Sequence, residues 1–266
     1  VVVTGLVNGT SYVFRVATVN DVGTGAFTSA TSGVIPATLA GVPTGLSATR
    51  GSEKVTLSWK APASTGGVAV SDYVIQSSAD GGTTWKTFAD GVSTATSGVV
   101  TGLVNGTSYV FRVAAVNAVG TGAFTSATSG VIPATLAGVP TGLSATRGSE
   151  KVTLSWKAPA STGGVAVSDY VIQSSADGGT TWKTFADGVS TATSGVVTGL
   201  VNGTSYVFRV AAVNAVGTGA FTSATLGVIP ATLAGVPTGL TATRGNGEVA
   251  LVWKAPASNG GSPITD

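Results

Sequence analysis

The sequence predicts an all-β chain of tandem two-sheet sandwiches, on three observations. Short runs alternate apolar and polar residues at a period of two, and no long stretch shows the three-and-four spacing of a helix. Glycine, proline and Asn-Gly pairs punctuate these runs; the 266 residues include 39 Gly and 10 Pro. A unit of 97 residues recurs, placing Pro43, Pro140 and Pro237 in the same GVPTGL context and keeping Trp59, Trp156 and Trp253 in step.

The repeat divides the chain into four parts. Residues 38–134 and 135–231 are full copies that differ at one position, Ser129 against Leu226. Residues 1–37 match the last third of a unit, with Val1, Thr18 and Asp21 where the next copy has Gly98, Ala115 and Ala118. Residues 232–266 match the first third, with Asn246-Gly247-Glu248 replacing Ser149-Glu150-Lys151. The simplest reading is a window on a longer array, whose true start is expected elsewhere. A rival reading lets the end fragments of neighbouring chains complement each other. It leaves the part matching 170–194 unsupplied.

The strands of one unit follow in order from Gly41. Leu46 and Ala48 alternate with Ser47 and Thr49 in an edge strand, and Pro43 before it suits an edge. Val55, Leu57 and Trp59 alternate with Lys54, Thr56, Ser58 and Lys60, which puts the apolar three on one face. After a loop at 61–67, Val70, Tyr73 and Ile75 mark a third strand. Asp80-Gly81-Gly82 signals a tight turn, and Trp85 and Phe88 mark the returning strand. Val99 to Thr101 form a fifth. Beyond the Asn105-Gly106 turn, Tyr109, Phe111, Val113 and Ala115 alternate with Val110, Arg112, Ala114 and Val116. Phe124 to Val131 are expected to form the last strand. The predicted core is Leu46, Val55, Leu57, Trp59, Tyr73, Ile75, Val100, Leu103, Tyr109, Phe111 and Val113.

Seven short strands in about 97 residues is the strand count and size of an immunoglobulin-like sandwich. Pro43 with Leu46, Trp59, and Gly102-Leu103 followed by Tyr109-Val110-Phe111-Arg112-Val113 resemble the fibronectin type III pattern. Ala115, Asn117, Gly120 and Ser126 continue it. The resemblance covers both full copies and both partial ends. It implies tandem seven-stranded sandwiches, and a tyrosine corner in which the Tyr109 hydroxyl bonds backbone upstream. The near-identity of the copies and their Thr/Ser/Gly-rich, charge-poor character resemble the bacterial branch of the family. The Arg-Gly-Asp motif of the animal family has no counterpart in the loop at 118–123, so integrin-type binding is not expected.

Composition excludes several function classes. Only 9% of residues are charged, against roughly 25% in ordinary soluble domains, and net charge is +2. The charges alternate in sign along each unit, so no nucleic-acid footprint is present. Mean hydropathy is +0.42, yet no apolar run approaches the ~18–20 residues of a spanning helix. Cysteine, histidine and methionine are absent, which removes thiol chemistry and disulfides without fixing the compartment. Glu53, Asp72, Asp80 and Asp90 are too scattered to suggest calcium, and no paired carboxylates stand at a catalytic spacing. No enzyme activity and no cofactor are expected.

Two surface features remain. Asn8, Asn105 and Asn202 each begin an Asn-Gly-Thr glycosylation pattern, although Asn-Gly is also what a tight turn wants. Trp85 and its copy Trp182 are candidate glycan contacts, or they cover the rim of the core. The junction from Val131 to Pro140 is short, apolar and carries two prolines, which favours a semi-rigid connection. Together these predict a non-catalytic structural segment of an extracellular or cell-surface protein: a stalk, an adhesin spacer or a filament-forming array. Its expected partners are copies of itself, other surface proteins or polysaccharide. The alternative is a spacer or carbohydrate-binding accessory of a secreted polysaccharide-degrading enzyme.

Overall fold

Lys54 to Lys60 show why this chain folds as sheets. The Val55, Leu57 and Trp59 side chains are buried and the four polar residues between them are exposed. A period of two that is half buried can be satisfied only by a pleated surface with one face covered.

The computed structural model describes residues 1–265. It divides into two compact units, Val1–Ala134 and Thr135–Asp266. In the first, residues 1–37 carry β1 (Val19–Asn20) and β2 (Gly23–Thr24). The full copy then supplies β3 (Thr44–Gly51), β4 (Lys54–Lys60), β5 (Val70–Ser78), β6 (Lys86–Phe88), β7 (Ser97–Thr101), β8 (Val110–Asn117) and β9 (Gly120–Thr121). One antiparallel sheet has the order β3-β4-β7 and the facing sheet the order β6-β5-β8-β9.

The second unit repeats this plan. Its strands are β10 (Thr141–Arg147), β11 (Lys151–Lys157), β12 (Val167–Ser175), β13 (Lys183–Phe185), β14 (Ser194–Thr198), β15 (Val207–Asn214) and β16 (Gly217–Thr218). The sheet orders are β10-β11-β14 and β13-β12-β15-β16. A hairpin of β17 (Thr238–Arg244) and β18 (Val249–Lys254) follows.

Between the two sheets lie Val55, Leu57, Trp59 and Val100 from one side and Tyr73, Ile75, Phe111 and Val113 from the other. Trp59 meets Tyr73 edge to face, with centroids 5.3 Å apart. All eleven predicted core residues belong to this cluster, with Leu46 and Tyr109 at its margin. Ala40, from the entering chain, and Ala115, from β8, join it. The tyrosine corner is formed: the Val104 N–H donates to the Tyr109 hydroxyl at 3.2 Å, and Val201 does the same to Tyr206.

The last strand differs from expectation. β9 stops at Thr121, and Phe124 to Val131 is no regular strand; only an isolated bridge joins Val131 to Tyr109. The Gly122, Thr125, Thr128 and Val131 N–H groups donate to the carbonyls of Ala115, Val113, Phe111 and Tyr109, at 2.8–2.9 Å. The segment advances three residues while β8 advances two. Two threonines make this possible. Thr125 Oγ1 accepts the Val113 N–H at 3.2 Å and Thr128 Oγ1 the Phe111 N–H at 3.1 Å, doing the work of backbone carbonyls. Residues 1–37 and the second unit repeat the arrangement through Thr28 and Thr31, and Thr222 and Thr225.

Candidate functional site

Trp85 lies on the outer face of the four-stranded sheet, half-buried. The Arg112 guanidinium sits 4.0 Å above its ring centroid and 4.4 Å from that of Phe124, so the cation is held between two rings. Arg112 Nε donates to Gln76 Oε1 at 2.8 Å, and Gln76 Nε2 donates to Thr87 Oγ1 at 3.1 Å. The ladder therefore runs across β6, β5, β8 and the last segment. Trp182, Arg209 and Phe221 repeat it at the same distances. One face of each tryptophan is thus occupied by a guanidinium. Arg112 and Phe124 are the partners that sequence reasoning missed; their separation in sequence hides the register that brings them together.

Asn105 points back at the hairpin between β3 and β4. Its Oδ1 accepts the Glu53 N–H at 2.8 Å, and its Nδ2 donates to Ser52 Oγ at 3.3 Å. Asn202 braces Glu150 and Ser149 in the same way. A sugar on Nδ2 would have to replace the serine contact. In the partial copy at the N-terminus, Asn8 is exposed, and Gly9 donates its N–H to the Pro36 carbonyl at 2.9 Å.

The strongest polar site was not singled out from sequence as anything but part of a family run. Asn117 is buried at the end of β8, at 4% exposure, and all its amide capacity is used. Nδ2 donates to the Thr38 and Thr65 carbonyls, both at 2.8 Å, while Oδ1 accepts the Val119 and Gly120 N–H groups at 3.0 and 3.3 Å. One side chain thus ties the incoming linker, the loop after β4 and the loop after β8. Thr38 also donates its N–H to the Gly66 carbonyl. A methyl group at Gly66 would strike the Thr38 and Leu39 carbonyls, so only glycine lets the loop lie under the linker. Within the second unit, Asn214 holds Thr135, Thr162, Val216 and Gly217 in the same pattern.

The acids serve their own loops. Asp80 accepts from the Ser78 and Thr84 hydroxyls, both at 2.6 Å, and from the Thr84 N–H; these bonds, Ser78 first, hold its carboxyl far below the usual range. Asp72 accepts the Ser93 N–H at 2.9 Å. Burial, reinforced by the charge on Asp72, pushes the Asp90 carboxyl up. Among the described residues no three acids, histidines or cysteines are grouped. An open groove of about 470 Å³ runs beside Lys86, Phe88, Val100, Leu103 and Tyr109. Its counterpart in the second copy, beside Lys183, Phe185, Val197, Leu200 and Tyr206, measures about 210 Å³.

A family model described as "Fibronectin type III domain" matches residues 41–131 and 138–228. Human Myomesin-2 is 31% identical over 229 residues, which is 82% of this chain and 16% of that protein. Chicken "M-protein, striated muscle" is 28% identical over 274 aligned residues, 98% of this chain and 19% of that protein. The chain thus spans less than a fifth of these relatives' own length. A crystal structure of domains from titin is 22% identical, covers 72% of this chain and 61% of that one, and has a TM-score of 0.45. These relatives are animal proteins and lend no support to the bacterial branch expected from composition.

Proposed function

Because the chain belongs to the fibronectin type III family, we propose that it is a non-catalytic spacer: a run of modules that sets a fixed separation within a longer structural protein. The observation that carries this is the amide of Asn117, and of Asn214 in the next copy, which spends one Nδ2 hydrogen bond on the linker carbonyl of Thr38 or Thr135 and the rest on the adjoining loops. A linker meant to flex would leave the Thr38 and Thr135 carbonyls without a side chain to hold them. The resemblance to Myomesin-2 and to a striated-muscle M-protein supports a structural role. The Ser/Thr-rich, charge-poor composition supports an extracellular or cell-surface setting, with copies of the chain, other surface proteins or polysaccharide as neighbours.

Cysteine-free sequence makes the test clean. Spin labels at Thr101→Cys and Thr198→Cys should report one narrow distance between the two full modules, and Asn214→Ala should broaden it. A broad distribution in the otherwise unaltered chain would sink the spacer reading. Glycan binding abolished by Trp85→Ala and Trp182→Ala would instead favour the carbohydrate-binding alternative.

A further inference from the structure

We propose that the segment from Gly122 to Val131 is a sheet edge built to refuse strand addition, which keeps near-identical modules from pairing edge to edge while they fold. The proposal concerns the module itself and does not depend on the spacer reading.

The full copies differ at one residue, so any edge that templates its own neighbour templates that neighbour in every other copy. Exposed edges and repeated modules are the two settings in which wrong pairing is a recognised hazard. The last segment of the sandwich is where the four-stranded sheet ends. A regular strand there would offer outward N–H and C=O groups at every second residue, the spacing an incoming strand needs.

The segment offers no such ladder. Its N–H groups at 122, 125 and 128 meet the β8 carbonyls at 115, 113 and 111, and the one at 131 meets the Tyr109 carbonyl just before β8. Two residues of β8 rise about 6.8 Å, so three residues of the segment share that length at about 2.3 Å each. That is too short for extended backbone, and the chain must coil. Each step is in effect a bulge, and bulges turn an edge away from pairing. An incoming strand stepping by two loses register with a segment stepping by three after a single bond.

The threonine hydroxyls let β8 tolerate this. Thr125 and Thr128 supply acceptors to Val113 and Phe111 that a regular neighbour would supply from its carbonyls, so β8 is satisfied without a pairing-competent strand beside it. The other edges are blunted by separate means. β3 follows Pro43 and shifts register between Thr44 and Ser47, where Gly45 has φ 64°. β6 is only three residues long. β7 has Asp90 beside it, with Oδ2 4.0 Å from the place of a Gly98 Cβ.

The test replaces Thr125, Thr128, Thr222 and Thr225 with valine, which keeps the shape, removes the hydroxyl acceptors and favours extended backbone. The control is Val55→Ala with Val152→Ala, or whichever core pair matches the threonine variant in lost thermal stability. Both are refolded from denaturant over a range of concentrations and resolved by size-exclusion chromatography. The threonine variant should form multimers several-fold more than the control. Equal multimer in both would overturn the proposal. Hydrogen exchange on the unaltered chain gives a second reading should the variant fail to fold. Thr125, Thr128 and Val131 should be protected while Ser126, Ala127, Ser129 and Gly130 exchange rapidly. Protection at alternate residues would also overturn it.

Discussion

Glu53 adopts φ 55° and Glu150 φ 54°, a left-handed conformation that costs a residue with a Cβ about 1–2 kcal/mol. The strain follows from a two-residue connection between β3 and β4, and the bond from Glu53 to Asn105 holds it in place. In the last partial copy, Gly247 stands at this position with φ 71°. Glu53→Gly with Glu150→Gly should therefore raise the denaturant midpoint. The gain should be about 0.5–1 kcal/mol per module, once the extra entropy of unfolded glycine is subtracted. A second expectation concerns Asp90, whose folded carboxyl is pushed up by burial and then by Asp72. A raised acid is a penalty present above its folded pKa, and it disappears as pH falls toward the unfolded value of about 3.9. Asp90→Asn should raise Tm at pH 7, with the gain shrinking to nothing below about pH 4. The opposite holds for Asp80, whose depressed carboxyl favours folding above about pH 4 and less so as pH falls through its folded value. The sequence gives Asn105 away as a turn residue, through its glycine. It hides the hairpin that Asn105 braces, because Glu53 lies 52 residues earlier.

At the scale of elements, six of the seven expected strands form, most plainly Lys54–Lys60 and Val110–Asn117, since a half-buried strand writes its period into its own residues. The seventh does not. Thr125, Thr128 and Val131 stand at a spacing of three, yet their composition is that of a strand, and composition cannot say which hydroxyls replace carbonyls. The stack of Trp85, Arg112 and Phe124 adds to the hydrogen bonds that hold that segment to the sheet. Lysine would keep the charge but lose the planar stacking and the Nε bond to Gln76. Arg112→Lys should cost about 1 kcal/mol and Arg112→Ala about 2 kcal/mol, read as shifts in denaturant midpoint at unchanged slope.

Across the whole molecule, each full copy closes its own core: the cluster around Phe111 and the one around Phe208 share no residue. Their one difference, Leu226 for Ser129, is 90% exposed and adds nothing to the interior. Stability is then a sum of local terms. Val55→Ala should weaken the first copy by about 2 kcal/mol. A calorimetric scan should then resolve two transitions, with the second copy's left in place. A common shift of both would show that the copies unfold as one.

By itself the sequence determined the repeat, the sheet class and the eleven core positions, because each is encoded by residues whose spacing is local or copied at a fixed period; the tyrosine corner came with the resemblance to the fibronectin type III pattern. Only the tertiary structure decided the rest: that Trp85 lies under Arg112, that Asn117 ties three loops, and that the last segment steps by three. Each of these depends on which polar groups meet across strands distant in sequence. A hydrogen bond or a stacked cation is fixed by register and by the closing of the two sheets, and neither is written in the pattern of any single strand.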